Sequence, residues 1–135
     1  MLARRSVLEM PASGLPLTGL DILLVEDSLL IAMDAEAMLR DLGSASVEVV
    51  DSAAEALTFI AATSCRVAVL DINLGRGTSM PVADELAKRA IPFIFASGYN
   101  DSSTIPERFR HVRIVGKPYS SSALASAIVG VMKNA

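Results

Sequence analysis

Tryptophan is absent from this 135-residue chain, cysteine and histidine occur once each, and aromatic residues make up 4%. A single cysteine, Cys65, excludes an internal disulfide and a multi-cysteine zinc site. A single histidine, His111, excludes chemistry that needs two imidazoles. So few rings cannot build a base-stacking platform, and a net charge of −3 argues against a strongly basic nucleic-acid surface. No apolar run approaches the ~18 residues of a membrane span. What the chain does have is apolar substance. With 52% hydrophobic and 20% charged residues it is too apolar for disorder. Its length fits one domain, which takes roughly 100–200 residues, with a core large enough to need no staples.

Residues 1–19 differ from the rest. Arg4 and Arg5 are followed by Ser6, Glu9 and Pro11, which interrupt the apolar stretch that a signal peptide requires. Pro11, Ser13, Gly14, Pro16 and Gly19 then read as linker. The segment is expected to be a flexible N-terminal arm with a short helical turn near Val7–Met10, or alternatively to pack on a partner or on its own domain, leaving residues 20–135 as the domain.

From Leu20 onward strand and helix signals alternate. Asp21–Val25 reads as a buried strand. Ser28 caps a helix with Ile31, Ala35, Met38, Leu39 and Leu42 on one face, and Gly43 ends it. Val47–Val50 is a second strand, and Ser52-Ala53-Ala54-Glu55 is a capping box opening a second helix. Val67–Leu70 is a third strand, uncharged until Asp71. Pro81 fits the first turn of a third helix reaching Arg89. Phe93–Ala96 and Val112–Val115 are strands four and five, and Ser120–Met132 is the last helix, weakened at Gly130. The stretch Tyr99–His111 carries Asn100-Asp101-Ser102-Ser103 and Pro106. It is expected to be mostly irregular, with a short helix near Pro106–Phe109.

Strands separated by helices imply right-handed crossovers and a parallel sheet covered on both faces, whose ligands bind outside the carboxyl ends of the strands. Glu26 and Asp27 follow strand one, Asp71 follows strand three, Ser97 and Gly98 follow strand four, and Lys117-Pro118 follows strand five. Clustered carboxylates repel one another unless a cation lies between them. Oxygen ligands without histidine or cysteine favour Mg²⁺, which also works with phosphate oxygens. A lysine and a hydroxyl suit the remaining phosphate oxygens. A carboxylate, already ionised, can then take a phosphoryl group as an acyl phosphate.

The set Val25-Glu26-Asp27-Ser28, Val69-Leu70-Asp71-Ile72-Asn73-Leu74, Ala96-Ser97-Gly98 and Lys117-Pro118 resembles the receiver domain of two-component response regulators, over about Leu20 to Ala135. The resemblance implies a flavodoxin-like (βα)5 fold: a doubly wound parallel five-stranded sheet of order 2-1-3-4-5. It implies Asp71 as phosphoacceptor and Mg²⁺ held by Asp27 directly, by Glu26 through water, by Asp71 and by the backbone carbonyl of Asn73. Lys117 would pair with the phosphoryl group, Ser97 would stand at the switch hydroxyl, and the bond before Pro118 would be cis.

One position departs from the family, which usually carries Tyr or Phe three residues before the lysine; here it is Ile114. Pro92-Phe93-Ile94-Phe95-Ala96-Ser97-Gly98-Tyr99 resembles a typically alphaproteobacterial, often single-domain subfamily with a Phe-Ala-Thr-Gly-type fourth strand end. That subfamily lacks the switch aromatic, has a reduced or irregular fourth helix, and is often served by kinases of the HWE type. Tyr99 is either a core or a switch residue. The implied protein is a cytoplasmic signalling module rather than an enzyme. It takes phosphate from a sensor histidine kinase or a phosphotransfer protein and acts by contact with an effector protein, with no output domain and no direct nucleic-acid contact. Two other readings use the same residues: a phosphate sink for a shared kinase, and an Asp-nucleophile phosphatase. The phosphatase fits less well, because such enzymes resemble Asp-x-Asp at the end of the first strand. Gly75-Arg76-Gly77 lacks the spacing and lysine of a phosphate-binding loop and reads as a turn. His111 reads as a surface residue and Cys65 as a structural thiol.

Overall fold

The computed structural model describes residues 14–75, 77–98 and 102–133. Five strands form one parallel sheet: β1 (Asp21–Val25), β2 (Ser46–Val50), β3 (Val67–Asp71), β4 (Phe93–Ser97) and β5 (Ile114–Gly116), ordered β2-β1-β3-β4-β5. Four α-helices connect or follow them: α1 (Leu29–Asp41), α2 (Ala53–Ala62), α3 (Met80–Lys88) and α4 (Ser121–Lys133). This is the expected doubly wound fold with a reduced helix between β4 and β5.

β3 and β4 are buried along their whole length, as a parallel sheet covered on both faces demands. Side chains alternate between the faces, and the core divides accordingly. Leu23, Val25, Leu70, Phe93 and Phe95 pack with α2 and α3 on one side. Ile22, Leu24, Val67, Val69, Ile94 and Val115 pack with α1 and α4 on the other. Ser28 Oγ accepts from Ile31 N at 3.4 Å and Ser52 Oγ from Glu55 N at 3.1 Å, capping α1 and α2.

Of residues 1–19, only Gly14–Gly19 lies within the described residues, and it is not loose. Leu17 is fully buried against Ile22, Leu39 and Ile128, and its N–H donates to Leu42 O at 2.9 Å. Pro16 and Gly19, which resemble linker punctuation, form the turn that docks this leucine. The contact also explains Gly43. Its φ is 103°, and a Cβ there would lie 2.8 Å from Leu15 Cβ, so only glycine closes α1 beneath the turn.

Two further differences concern the far edge. β5 begins at Ile114 rather than Val112, because Val112 N–H donates back to Phe109 O at 3.1 Å and completes a turn. The β4–β5 connection holds two 3₁₀ turns, Ser102–Thr104 and Glu107–Phe109. It is better anchored than its sparse apolar content implies. Ile105 and Phe109 are buried, and Phe109 meets Phe93 and Phe95 edge-on at 5.7 and 6.1 Å. Arg108 forms a forked ion pair with Asp84, both bonds 2.9 Å. Cys65 is buried and His111 exposed.

Candidate functional site

The candidate site lies at the carboxyl edge of the sheet. Glu26 and Asp71 continue the alternation of Ile22-Leu24 and Val67-Val69, so both project to the face that α1 and α4 cover. Lys117 does the same beyond Val115. Backbone bonds fix the loop starts: Glu26 N to Val50 O, Ile72 N to Ala96 O and Lys117 N to Ser97 O, each 3.0 Å. The Lys117–Pro118 peptide is cis.

Carboxylate oxygens of Glu26, Asp27 and Asp71 lie within 4.8 Å of one another. Glu26 is 2% and Asp71 1% exposed, whereas Asp27 faces solvent. Lys117 Nζ donates to Asp71 Oδ2 at 3.0 Å and to Glu26 Oε1 at 3.3 Å. Glu26 Oε2 accepts from Ser28 N at 3.1 Å. The other Asp71 oxygen, Oδ1, is buried and accepts no hydrogen bond. Burial pushes the Asp71 carboxyl up to about 7, and the Glu26 charge adds to this, against the hydrogen bond and charge of Lys117. Burial also disfavours the Lys117 charge, but Asp71 and then Glu26 outweigh it and hold the ammonium above the ordinary lysine range.

Asn73 follows in the β3–α3 loop. Its Oδ1 accepts from Gly75 N at 2.9 Å, and it pairs with Thr78 as an isolated bridge. Gly75, at φ 79°, brings this loop so close that a Cβ there would sit 3.0 Å from Asp27 Oδ2. Ser97 has the opposite strand parity, and its hydroxyl donates to Gly98 O at 2.8 Å. Ile114 is exposed on the outer strand. Tyr99 lies outside the described residues.

The sequence reading missed one site residue. Tyr119 is buried, and its hydroxyl donates to Glu26 Oε1 at 3.5 Å. Burial, then the charges of Glu26 and Asp71, hold the phenol well above its ordinary pKa, so it stays a donor. Strand alternation gave no signal for it, because β5 ends at Gly116 and the cis Lys117–Pro118 peptide intervenes.

Three hard carboxylates with one orphaned oxygen suit a divalent cation that prefers oxygen. Fold and site thus define a doubly wound α/β module with a carboxylate cluster able to chelate a divalent metal. The family model for the response regulator receiver domain matches residues 22–129, and the chain belongs to that family. The phyllosphere-induced regulator PhyR of Methylorubrum extorquens is 32% identical over 112 aligned residues, with 80% of this chain and 42% of that protein covered. The chain therefore spans less than half the length of this relative. SdrG from Sphingomonas melonis Fr1 is 40% identical, with a TM-score of 0.74 over 87% of this chain and 98% of that one. A BeF3-activated conformation of SdrG is 41% identical, with a TM-score of 0.72 over 83% of this chain and 95% of that one. Receiver domains of this family act by self-catalysed phosphotransfer and dephosphorylation rather than as turnover enzymes. Among the described residues no helix is long and apolar enough to cross a membrane.

Proposed function

We propose that the chain is a phosphorylation-controlled signalling module in which Asp71 accepts a phosphoryl group and the acyl phosphate changes protein–protein contacts. The observation that carries this reading is the state of Asp71. It is a buried carboxylate with one oxygen bound to Lys117 and the other unpartnered. A relative 41% identical has a BeF3-activated conformation, and that group has the shape and charge of a phosphoryl group.

Glu26, Asp27, Asp71 and the Asn73 carbonyl would hold Mg²⁺, which when bound neutralises charge on the phosphoryl oxygens and favours the ionised nucleophile. Asp71 attacks phosphorus. The new P–O bond forms as the bond to the donor's imidazole nitrogen breaks, and no general base is required. Lys117, already within reach, turns toward the transferred group and balances its charge. Ser97 supplies a hydroxyl once it leaves Gly98 O.

A protein donor fits the surface beside the site. Leu29 and Leu30 at the start of α1 are 73% and 77% exposed and Met33 is exposed with them, an apolar patch flanking Asp27. A sensor histidine kinase, of the HWE type by family resemblance, or a phosphotransfer protein is the proposed donor, in the cytoplasm. The test is labelling with a small phosphodonor, read by intact mass. Wild type should gain one phosphoryl group only with Mg²⁺, and Asp71→Asn none. Undiminished labelling of Asp71→Asn would refute the assignment.

A further inference from the structure

We propose that Tyr119 is a positioning residue for the acidic site: its hydroxyl donates to Glu26 Oε1 and holds that carboxylate in the orientation a divalent cation meets. The inference rests on the metal reading above and extends it to a residue outside the family's strand-end set.

Glu26 is almost wholly buried. An ionised carboxylate offers about four acceptor positions, and a buried one is costly to leave unfilled. The structure supplies three donors to it: Ser28 N–H on Oε2, and Lys117 Nζ and Tyr119 OH on Oε1. These donors are not equivalent. Ser28 N–H is fixed at the start of α1 and serves only Oε2. Lys117 is shared, and its 3.0 Å bond to Asp71 is shorter than its 3.3 Å bond to Glu26. Any anion that draws Lys117 away leaves Tyr119 as the remaining donor to Oε1 among the described residues.

Tyr119 is built for constancy. Its ring packs in the core cluster that contains Leu24, Val69, Leu124 and Ile128, so its orientation is set by the sheet and α4 rather than by the site. It has two side-chain torsions and loses little freedom on holding one geometry. Glu26, by contrast, has three torsions to fix. A hydroxyl anchored in the core therefore limits where Oε1 can go. Outer partners of this kind set ligand orientation at metal sites. At 3.5 Å the contact is longer than the roughly 2.5–3.0 Å of an ordinary O–H···O bond, so it is a weak tie whose loss costs little folding stability while freeing the carboxylate.

Calorimetric titration with Mg²⁺ tests this on the full chain, comparing wild type, Tyr119→Phe, Glu26→Gln and the double variant. Tyr119→Phe keeps the ring in the core and should weaken Mg²⁺ affinity severalfold, up to about tenfold, the low end of what such partners cost. In the Glu26→Gln background the same change should have no effect, because the carboxylate it orients is gone. The chain has two tyrosines and no tryptophan, so tyrosine emission gives a second readout. Mg²⁺ should change the emission of a Tyr99→Phe variant, in which Tyr119 is the sole tyrosine, and the change should be smaller than in wild type when Tyr119 is replaced by Phe instead. Equal Mg²⁺ affinity in wild type and Tyr119→Phe overturns the proposal, as does an equal loss with and without Glu26. Absence of Mg²⁺ binding by wild type overturns the metal reading itself, and this proposal with it.

Discussion

Without metal, the stability of this protein should fall as pH rises from about 4 to about 8, and Asp71 should be the cause. Its carboxyl titrates near 3.8 in an unfolded chain and is pushed up to about 7 in the folded one. Below pH 4 both states are protonated and the native state keeps its full stability. Between those values the native state holds a proton that the unfolded state has released, so stability falls as pH climbs and levels off above about 7. Each pH unit is worth about 1.4 kcal/mol, which gives a ceiling of roughly 4 kcal/mol, or on the order of 10 °C in Tm for a chain of this size. Other shifted groups titrate outside this window. Asp84 and Glu85 are held below their ordinary values of 3.8 and 4.5 by Arg108 and Arg89; what they contribute is lost as pH falls through those values and below, beneath the pH 5–8 range of the measurement. Lys117 is raised above 10.5, so its contribution persists until far higher pH. Urea unfolding in EDTA at unit steps from pH 5 to 8 measures the slope. Asp71→Asn should flatten it and gain stability relative to wild type at pH 8. A wild-type slope that is flat, or unchanged by Asp71→Asn, would falsify the electrostatic account.

The proposed metal site predicts that Mg²⁺ raises the melting temperature at pH 8. The gain is about 2.7 kcal/mol when the cation stands a hundredfold above its Kd; Asp27→Ala should erase it, and a shift that survives that substitution would place the cation elsewhere. BeF3 bound at Asp71 should slow amide exchange between residues 102 and 111, and Ser97→Ala should blunt the effect. Exchange that is equal in both states would exclude the β4–β5 connection as the responding segment.

Strand-end chemistry was readable from the sequence because parallel sheets impose it. Each short apolar run had to be buried, so the first polar residue after it had to lie at the carboxyl edge. Glu26, Asp27, Asp71 and Lys117 were located by that rule, and the structure brings them within hydrogen-bond or chelating distance. What escaped was packing between distant segments. Leu17 looks like one apolar residue in a linker until the end of α1 is seen beneath it. Phe109 looks isolated until Phe93 and Phe95 turn their edges to it. Val112 continues a branched apolar run and so reads as strand, but the turn from Phe109 claims its N–H. Tyr119 escaped for the same reason: its tie to Glu26 is a contact across 93 positions of sequence that local pattern cannot reveal.

Ile114 replaces the aromatic usual in the family at its position, so the proposed signal from Asp71 would need another path to the surface, and the strand parities offer one. Phe95 and Ser97 are two residues apart on β4 and share a face. Phe95 packs against Phe109, which anchors the β4–β5 connection. Ser97 Oγ is now committed to Gly98 O, where β4 gives way to that connection. A hydrogen bond from Ser97 to a charged phosphoryl oxygen is worth about 1.5–3 kcal/mol, which shifts a two-state equilibrium about 10- to 150-fold. Breaking the bond to Gly98 O subtracts about 1 kcal/mol of this. The net bias is therefore modest. At roughly 0.5–2 kcal/mol it is smaller than the ~1.5–3 kcal/mol by which burial holds each of Ile105 and Phe109, so it tightens or loosens the backbone of the connection without detaching those anchors and leaves the sheet beneath it packed. The response should accordingly be confined to residues after Gly98 and before β5, with the β1–β3 core unchanged.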